Sequence, residues 1–254
     1  MSVLTLQLAG PLQSWGSSAR FARRTTESAP TKSGVLGLLA AALGRTRDAD
    51  MSDLTALRFG VRIDQPGTRL RDYQTAHHAD TGRSMPVSER FYLSDAVFVA
   101  AVEGDGELLG LVLAALQAPV FLPFLGRRSC PPSRPVDLGL YDGVGLSEAL
   151  GAEEWRASDW YQKQRRKEAV VELNLLLEPG RDTTHDADDG PGDVMRDQPL
   201  SFDVRHRRYA LRSVVSRSVT LPNPQAGQRA GDTRFPFTPH DPTPHLDPSR
   251  RDGS

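Results

Sequence analysis

The chain is nearly devoid of cysteine. Cys130 is the only one in 254 residues. That excludes an internal disulfide and a zinc site built on several thiolates. A lone thiol suits a reducing, cytoplasmic compartment. Long apolar runs are also missing: no stretch reaches the roughly 20 residues that span a bilayer. The opening MSVLTLQLAG lacks the basic start of a signal peptide, so no membrane partner is expected. Neither charge sign is in clear excess. There are 31 Lys and Arg against 32 Asp and Glu, a formal net charge of −1, whereas bulk polyanion binders carry a positive surplus. Aromatics are sparse at 7%, and the Gly- and aromatic-rich signature of an RNA recognition motif sheet is absent. RNA, if bound, is held by loops rather than by an aromatic platform.

What is present is uneven charge. Between Met1 and Arg47 stand Arg20, Arg23, Arg24, Lys32, Arg45 and Arg47 against only Glu27. Arg205 to Arg217 contains five arginines and no acid. The acidic stretch RDTTHDADDGPGDVMRD at 181–197 balances them, so basic surfaces coexist with a solvating acidic loop.

Hydrophobic content of 38% is enough for one large domain or two small ones. Leu4, Leu6 and Leu8 alternate with Val3, Thr5 and Gln7, the pattern of a strand over 3–8. PTKSGVLGLLAAALG (30–44) reads as a helix capped by Thr31 or Ser33 and closed by Gly44. Its small Gly34, Gly37 and Ala41 imply close packing against a sheet. LRFGVRID (57–64) reads as a half-buried strand with Arg58 and Arg62 pointing outward. Residues 73–90 lack periodicity and form an exposed loop or protruding hairpin. DAVFVAAV (95–102) is a buried strand and ELLGLVLAALQ (107–117) a second helix. PVFLPFLG (119–126) reads as a near-edge strand. The order strand, helix, strand, excursion, strand, helix, strand is the ferredoxin-like split βαβ pattern. Further strands are expected at 169–178 and 207–215, with SDWYQKQRRKE (158–168) as a basic helix. From Pro222 the composition is that of a disordered, proline-rich tail.

Several constellations invite a chemical reading. PTKSG (30–34) fails as a phosphate loop because the glycine spacing is wrong. It leaves Lys32 and Ser33 at a helix start, where free N–H groups attract anions. An ordinary capped helix with a solvated lysine explains it as well. His77 and His78, with Tyr73 and Lys32, have the residue types of a metal-free ribonuclease; a polar loop is the plainer reading. Cys130 follows Arg128-Ser129, but no histidine neighbours it, and a small packed residue suits it better. The strongest local signal is PFLGRRSCPPSRP (123–135), where Arg127, Arg128 and Arg134 sit on a proline-stiffened loop. Guanidinium forks match phosphate, and a stiff loop loses little entropy on binding. Pairing with acids elsewhere in the fold is the alternative.

GPLQSWG (10–16), Arg24 with PTKSGVLGLLAAALG, LRDYQTAHHAD (70–80), YLSDAVFVAAV (92–102), FLGRRSCPPSRP and RDQP (196–199) occur in series. In order and spacing they resemble the CasD family of type I-E CRISPR Cascade subunits, over roughly residues 3–217. The resemblance implies an α+β protein: a ferredoxin-like (RRM-like) domain over 1–150, with a β-hairpin thumb at 73–90. A small β-rich C-terminal region follows at 151–221, with a variable insert at 153–197, then the tail at 222–254. It implies a non-catalytic subunit in antiviral defence that caps the 5′ handle of the CRISPR RNA. Such a subunit touches the backbone and large subunits and lies indirectly near target DNA at the protospacer-adjacent motif. No cofactor or metal is implied. The residues it points to as RNA-binding are Arg23, Arg24, Lys32, Ser33, Tyr73, His77, His78, Arg83, Met85, Arg90, Gly126, Arg127, Arg128 and Ser129. Met85, Pro86 and Val87 would form an apolar wedge, with Arg83 and Arg90 on the RNA backbone. A sister subunit is itself a metal-independent endoribonuclease, which is the alternative activity.

Overall fold

The computed structural model describes residues 1–16, 23–180, 192–202 and 208–227. Arg20, the acidic residues 181–191, Arg205, Arg207, His185, His206 and the tail beyond 227 lie outside the described residues. In chain order the elements are β1 (Ser2–Ala9), β2 (Leu12–Gln13), β3 (Arg23–Arg24), α1 (Lys32–Ala42), α2 (Ser52–Thr55), β4 (Arg58–Gln65), β5 (Thr68–Gln74) and β6 (Ser88–Ser94). Then come β7 (Val97–Gly104), α3 (Gly106–Gln117), β8 (Asp137–Asp142), α4 (Leu146–Ala152), α5 (Asp159–Gln164), β9 (Val170–Leu177), β10 (Asp193–Ser201) and β11 (Arg208–Pro222).

A seven-stranded sheet runs β10-β11-β9-β4-β7-β1-β8. Its neighbours pair antiparallel throughout. β9 joins β4 through Gly60↔Leu177, so the sheet crosses position 150 without interruption. A smaller sheet centres on β6: β5 lines one side, while β2 and β3 share the other. Among the described residues no helix is long and apolar enough to cross a membrane.

Helices on both faces explain why β1 and β7 are almost wholly buried. Leu4, Leu6, Leu8, Phe98, Ala100 and Val102 pack with α1 and α3, while Val3, Val99 and Ala101 pack with α4. A strand covered on both faces reads as a continuous apolar run. Helix α1 begins because Thr31 accepts a hydrogen bond from the Gly34 N–H at 3.2 Å. Just beyond its C-cap, Gly44 adopts φ +75°. Leu36 and Leu39 are fully buried, worth about 1.5–3 kcal/mol each. The tight approach at Gly34 is to an indole rather than to the sheet: a Cβ there would meet the Trp15 ring at 2.8 Å.

Four expectations need correction. Arg62 does not point to solvent; it is fully buried, because α4 and the segment after it cover that face of β4. Residues 119–126 form no strand. Pro119 and Pro123 carry no N–H, and Val120 and Phe121 instead donate to the Ala42 and Ala41 carbonyls at the end of α1. The edge strand beyond β1 is β8, which is short, half-buried and shifts register against β1 between Thr5 and Leu6. The basic helix is only α5, six residues ending before the Arg165-Arg166-Lys167 run. Finally, β11 extends to Pro222, and Asn223 is held by donating to the Gln162 and Arg165 carbonyls at 3.3 and 2.9 Å. The first residues assigned to the tail are therefore ordered.

Candidate nucleic-acid interface

The loop after α3 is set by one glycine. Gly126 has φ +82°, and a Cβ there would lie 1.8 Å from the Ser14 carbonyl oxygen. Around it the backbone folds back on itself: Leu125 N–H donates to Cys130 O at 2.7 Å and Cys130 N–H to Arg127 O at 2.9 Å. Leu125 and Cys130 are fully buried beneath the turn, and burial pushes the Cys130 thiol pKa up. The cysteine is thus a packed anchor, and Arg127, Arg128 and Ser129 sit on the outer side.

Arg127 reaches across to the smaller sheet. Its guanidinium lies 4.7 Å from the Tyr92 ring centre, and Nη2 donates to the Arg24 carbonyl at 2.9 Å. Arg24 in turn pairs with Arg90 in the parallel β3–β6 register. Arg23 stacks 5.4 Å from the Phe91 ring, and Arg71 stacks 4.6 Å from Tyr73. By strand alternation these residues fall on opposite faces of the smaller sheet: Arg23, Arg71, Tyr73 and Phe91 on one, and Arg24, Arg90 and the buried Tyr92, with Arg127 stacked on it, on the other. Glu89 is the acid of the first face, 3.8 Å from Arg23 and 2.6 Å from Arg71. Arg90 Nε and Arg127 Nη1 are buried without a partner among the described residues. Buried unpaired donors are costly, and a phosphate or base edge would satisfy them.

The far end of the β5–β6 pair is a structured tip. His78 N–H donates to Arg83 O at 2.9 Å, Met85 N–H to Ala76 O at 2.7 Å, and His77 bridges Ser84. His77 Nδ1 lies 3.2 Å from Gly82 O, and His78 Nδ1 accepts from the Asp80 N–H at 3.3 Å. Arg83, Met85 and Val87 are exposed. His78, Arg83, Met85 and Pro86 help line an open concavity of about 690 Å3.

Lys32 and Ser33 do not belong to this surface. Both are buried. Lys32 Nζ pairs with Glu178 at 3.0 Å, and its backbone N–H donates to Asp197 at 2.8 Å. Asp197 also receives the Arg212 fork at 2.6 and 2.9 Å. Two acids and two bases thereby tie the start of α1 to β9, β10 and β11. Among the described residues nothing joins Lys32 to the histidines at the hairpin tip, so the residue set suited to a ribonuclease is dispersed. Burial holds the Lys32 ammonium below its ordinary 10.5, the Glu178 charge opposing this. Between that lowered value and 10.5 the unfolded chain binds a proton that the folded chain has released, so this group makes stability rise with pH. Lys32→Met is expected to remove that part of the slope. Urea unfolding from about pH 7 to 10 checks it, and an unchanged slope would contradict it.

The sequence reading missed Arg71, Phe91 and Tyr92. Their signal is the alternation RLRDY and the run ERFYL, which gain meaning only once β5 and β6 pair.

The family model described as CRISPR-associated protein (Cas_Cas5) matches residues 3–215. The chain belongs to the Cas5 family. Among Cas5 relatives it is 37% identical over 184 residues to the CRISPR system Cascade subunit CasD of Escherichia coli strain K12, covering 64% of this chain and 82% of that protein. A solved structure described as a Cas protein superposes with TM-score 0.62 at 37% identity, covering 89% of this chain and 98% of that one. A chain of a CRISPR RNA-guided surveillance complex superposes with TM-score 0.69 at 30% identity, covering 91% and 95% respectively.

One prediction belongs to the Cas5 loop itself. Gly126→Ala is expected to destabilise the turn by at least the ~1–2 kcal/mol of left-handed backbone, because the Ser14 carbonyl must also move. Cys130, the sole thiol, reports on it: its labelling by a thiol reagent should accelerate several-fold. A labelling rate equal to wild type would show the turn intact.

Proposed function

We propose that this Cas5 protein is a non-catalytic subunit of a CRISPR Cascade surveillance complex that binds and caps the 5′ handle of the CRISPR RNA. The observation that carries the reading is the concentration of arginines on β3, β5, β6 and the 126–129 loop, with exposed Tyr73 and half-buried Phe91 on one face of the smaller sheet and unpaired donors on Arg90 and Arg127 on the other side. Guanidinium forks suit phosphate oxygens, and the accessible Tyr73 and Phe91 rings suit splayed bases of a single strand, whereas Tyr92 is buried beneath Arg127. Arg23, Arg24, Arg90, Arg127, Arg128 and Ser129 then hold the handle, while Tyr73, His77, His78, Arg83 and Met85 extend the contact along the hairpin. A modest net charge is compatible with this, since a short handle has few phosphates to neutralise.

The same reading makes the core ferredoxin-like. In its favour, the order β4-β7-β1-β8 with α1 and α3 as crossovers is what a split βαβ pair requires. Residues 73–90 are then the thumb, with Met85, Pro86 and Val87 as its apolar wedge. Residues 1–150 form the RNA-binding domain, and 151–221 a β-rich region completing the sheet. Contacts with the backbone and large subunits, and through them with target DNA near the protospacer-adjacent motif, complete the assignment. Exposed Leu111, Val120, Phe121 and Leu122 supply apolar surface of the kind that docks on protein. The protein acts in the cytoplasm, where its one thiol stays reduced.

The test is a gel experiment with labelled full-length repeat RNA in EDTA, run in native and denaturing lanes. The expected result is a shifted, uncut RNA. A discrete product lost in the His77→Ala, His78→Ala double variant would replace this reading with a metal-independent endoribonuclease. No shift would leave a purely structural subunit.

A further inference from the structure

A second polar site lies where β1, β4 and β7 meet the loop before β8 and the start of α5. It is a cleft of about 220 Å3 whose lining includes Gln7, Asp95, Arg134, Arg156 and Trp160. That is smaller than the about 300 Å3 at which sites for drug-sized ligands begin, so it suits one planar group rather than a large cofactor.

Most polar atoms around the cleft are engaged. Ser133 donates to the Ala9 carbonyl, and Ser158 donates twice to Gln65 Oε1 at 2.7 and 3.0 Å. Two donors are left over. Among the described residues Gln7, 5% exposed, has no partner for its Nε2, and Arg156 Nε is likewise buried and unpaired, although Arg156 Nη2 pairs with Glu153 at 3.1 Å. Arg134 has no hydrogen bond or ion pair among the described residues. Trp160 presents an indole that is 56% exposed, held edge-on against Tyr161 at 5.6 Å. Asp95 is the only described non-glycine residue at positive φ, 54°, and its backbone there is pinned by Pro11 and Gln65.

The geometry points to a binding pocket for a single unpaired ribonucleotide of the guide RNA, its base stacked on Trp160 and its phosphate on Arg134. This rests on the handle-binding reading and adds a position to it. An exposed ring beside unpaired N–H donors is how single-stranded bases are held: the face stacks, and the edge accepts from fixed donors. Gln7 Nε2 and Arg156 Nε serve base carbonyls or ring nitrogens, and the Asp95 carboxylate can accept from an exocyclic amine. An apolar protein segment would leave those donors unpaired, which disfavours it. Arg134 belongs to the same proline-stiffened loop as Arg127 and Arg128, so one RNA strand can pass from those loop arginines to this cleft.

The experiment uses the full chain and repeat-handle RNAs carrying 4-thiouridine at each handle position in turn. Photo-cross-linked peptides are mapped, and affinity is measured in parallel. One handle position is expected to cross-link to the peptide containing Trp160. Trp160→Ala should abolish that adduct and weaken binding roughly ten- to a hundredfold, while Trp160→Phe, which keeps a ring, retains most of the affinity. Arg134→Ala should weaken binding and lower its salt dependence by about one phosphate contact. Wild-type affinity in Trp160→Ala and Arg134→Ala, with adducts only on the β3–β5–β6 sheet and the 126–129 loop, would overturn this pocket and leave the handle reading standing. Failure of the wild-type chain to bind the RNA at all would overturn both.

Discussion

Arg62→Ala is expected to lower the stability of the fold by about 3–5 kcal/mol. The side chain is fully buried, and all five of its N–H donors are used. Nε and Nη2 hold Asp64 at 2.7 and 2.9 Å. Nη1 donates to the carbonyls of Leu150 and Glu153, and Nη2 also reaches Glu154 O at 2.6 Å. Arg62 therefore closes the end of α4 and fastens the next segment to β4. Asp64 receives the Arg156 N–H at 2.6 Å, and its own carbonyl receives the Trp155 indole at 3.0 Å. Removing the guanidinium strands a buried carboxylate and three carbonyls. For a chain of this size the melting temperature should fall on the order of 10 °C. Arg62→Lys should lose nearly as much, since an ammonium cannot make the planar fork. Arg62→Leu combined with Asp64→Leu should recover only the carboxylate's share, because the carbonyls of Leu150, Glu153 and Glu154 stay unpaired. Thermal unfolding of the three variants tests the account. A loss below about 1 kcal/mol for Arg62→Ala, the range of exposed ion pairs, would refute it.

Charge reversal at Arg128 is expected to leave the fold alone, and reversal of both loop arginines to weaken RNA binding strongly. Arg128 is exposed and makes no hydrogen bond or ion pair among the described residues, so Arg128→Glu should not shift the melting temperature. Adding Arg127→Glu also breaks the stack on Tyr92 and the bond to the Arg24 carbonyl. The double variant should bind repeat RNA about a hundredfold more weakly, from the loss of two charge-assisted contacts. The slope of log affinity against log salt should flatten by about 1.4, at roughly 0.7 per contact on a single strand. Filter binding across a salt series reads both numbers. A double variant with wild-type affinity and slope would mean that the loop faces no RNA.

The parts of the fold legible in the sequence share one property: their burial is settled by neighbours close in sequence or by coverage on both faces. The continuous apolar character of β7 and the Thr31 cap of α1 are of this kind. Arg62 was misread because alternation reports that two faces differ, not that one of them meets water. The face it lies on is covered by α4 and the segment after it, whose carbonyls at Leu150, Glu153 and Glu154 need donors that only a long-range contact supplies. The run at 119–126 was misread as a strand because apolar composition does not say where backbone donors go; here they go to the end of α1. The candidate site divides the same way. Gly126 and the loop arginines announce themselves locally, through a turn that only glycine can make and a run of like charge without acids. Lys32 looked equally available, yet Glu178, 146 positions away, buries it in an ion pair. The Tyr92 and Phe91 rings gained a role only when β6 brought residues 23–24 beside the 126–129 loop, across 103 positions.

By itself the amino-acid sequence determined the family, the two long helices, the central strands and the stiff arginine loop, because each depends on periodicity, capping or a motif within a short span. Tertiary structure alone decided which charges are buried partners and which are open to a ligand. That choice depends on what covers a face and which distant residue supplies the matching donor or acceptor, and no local pattern encodes either.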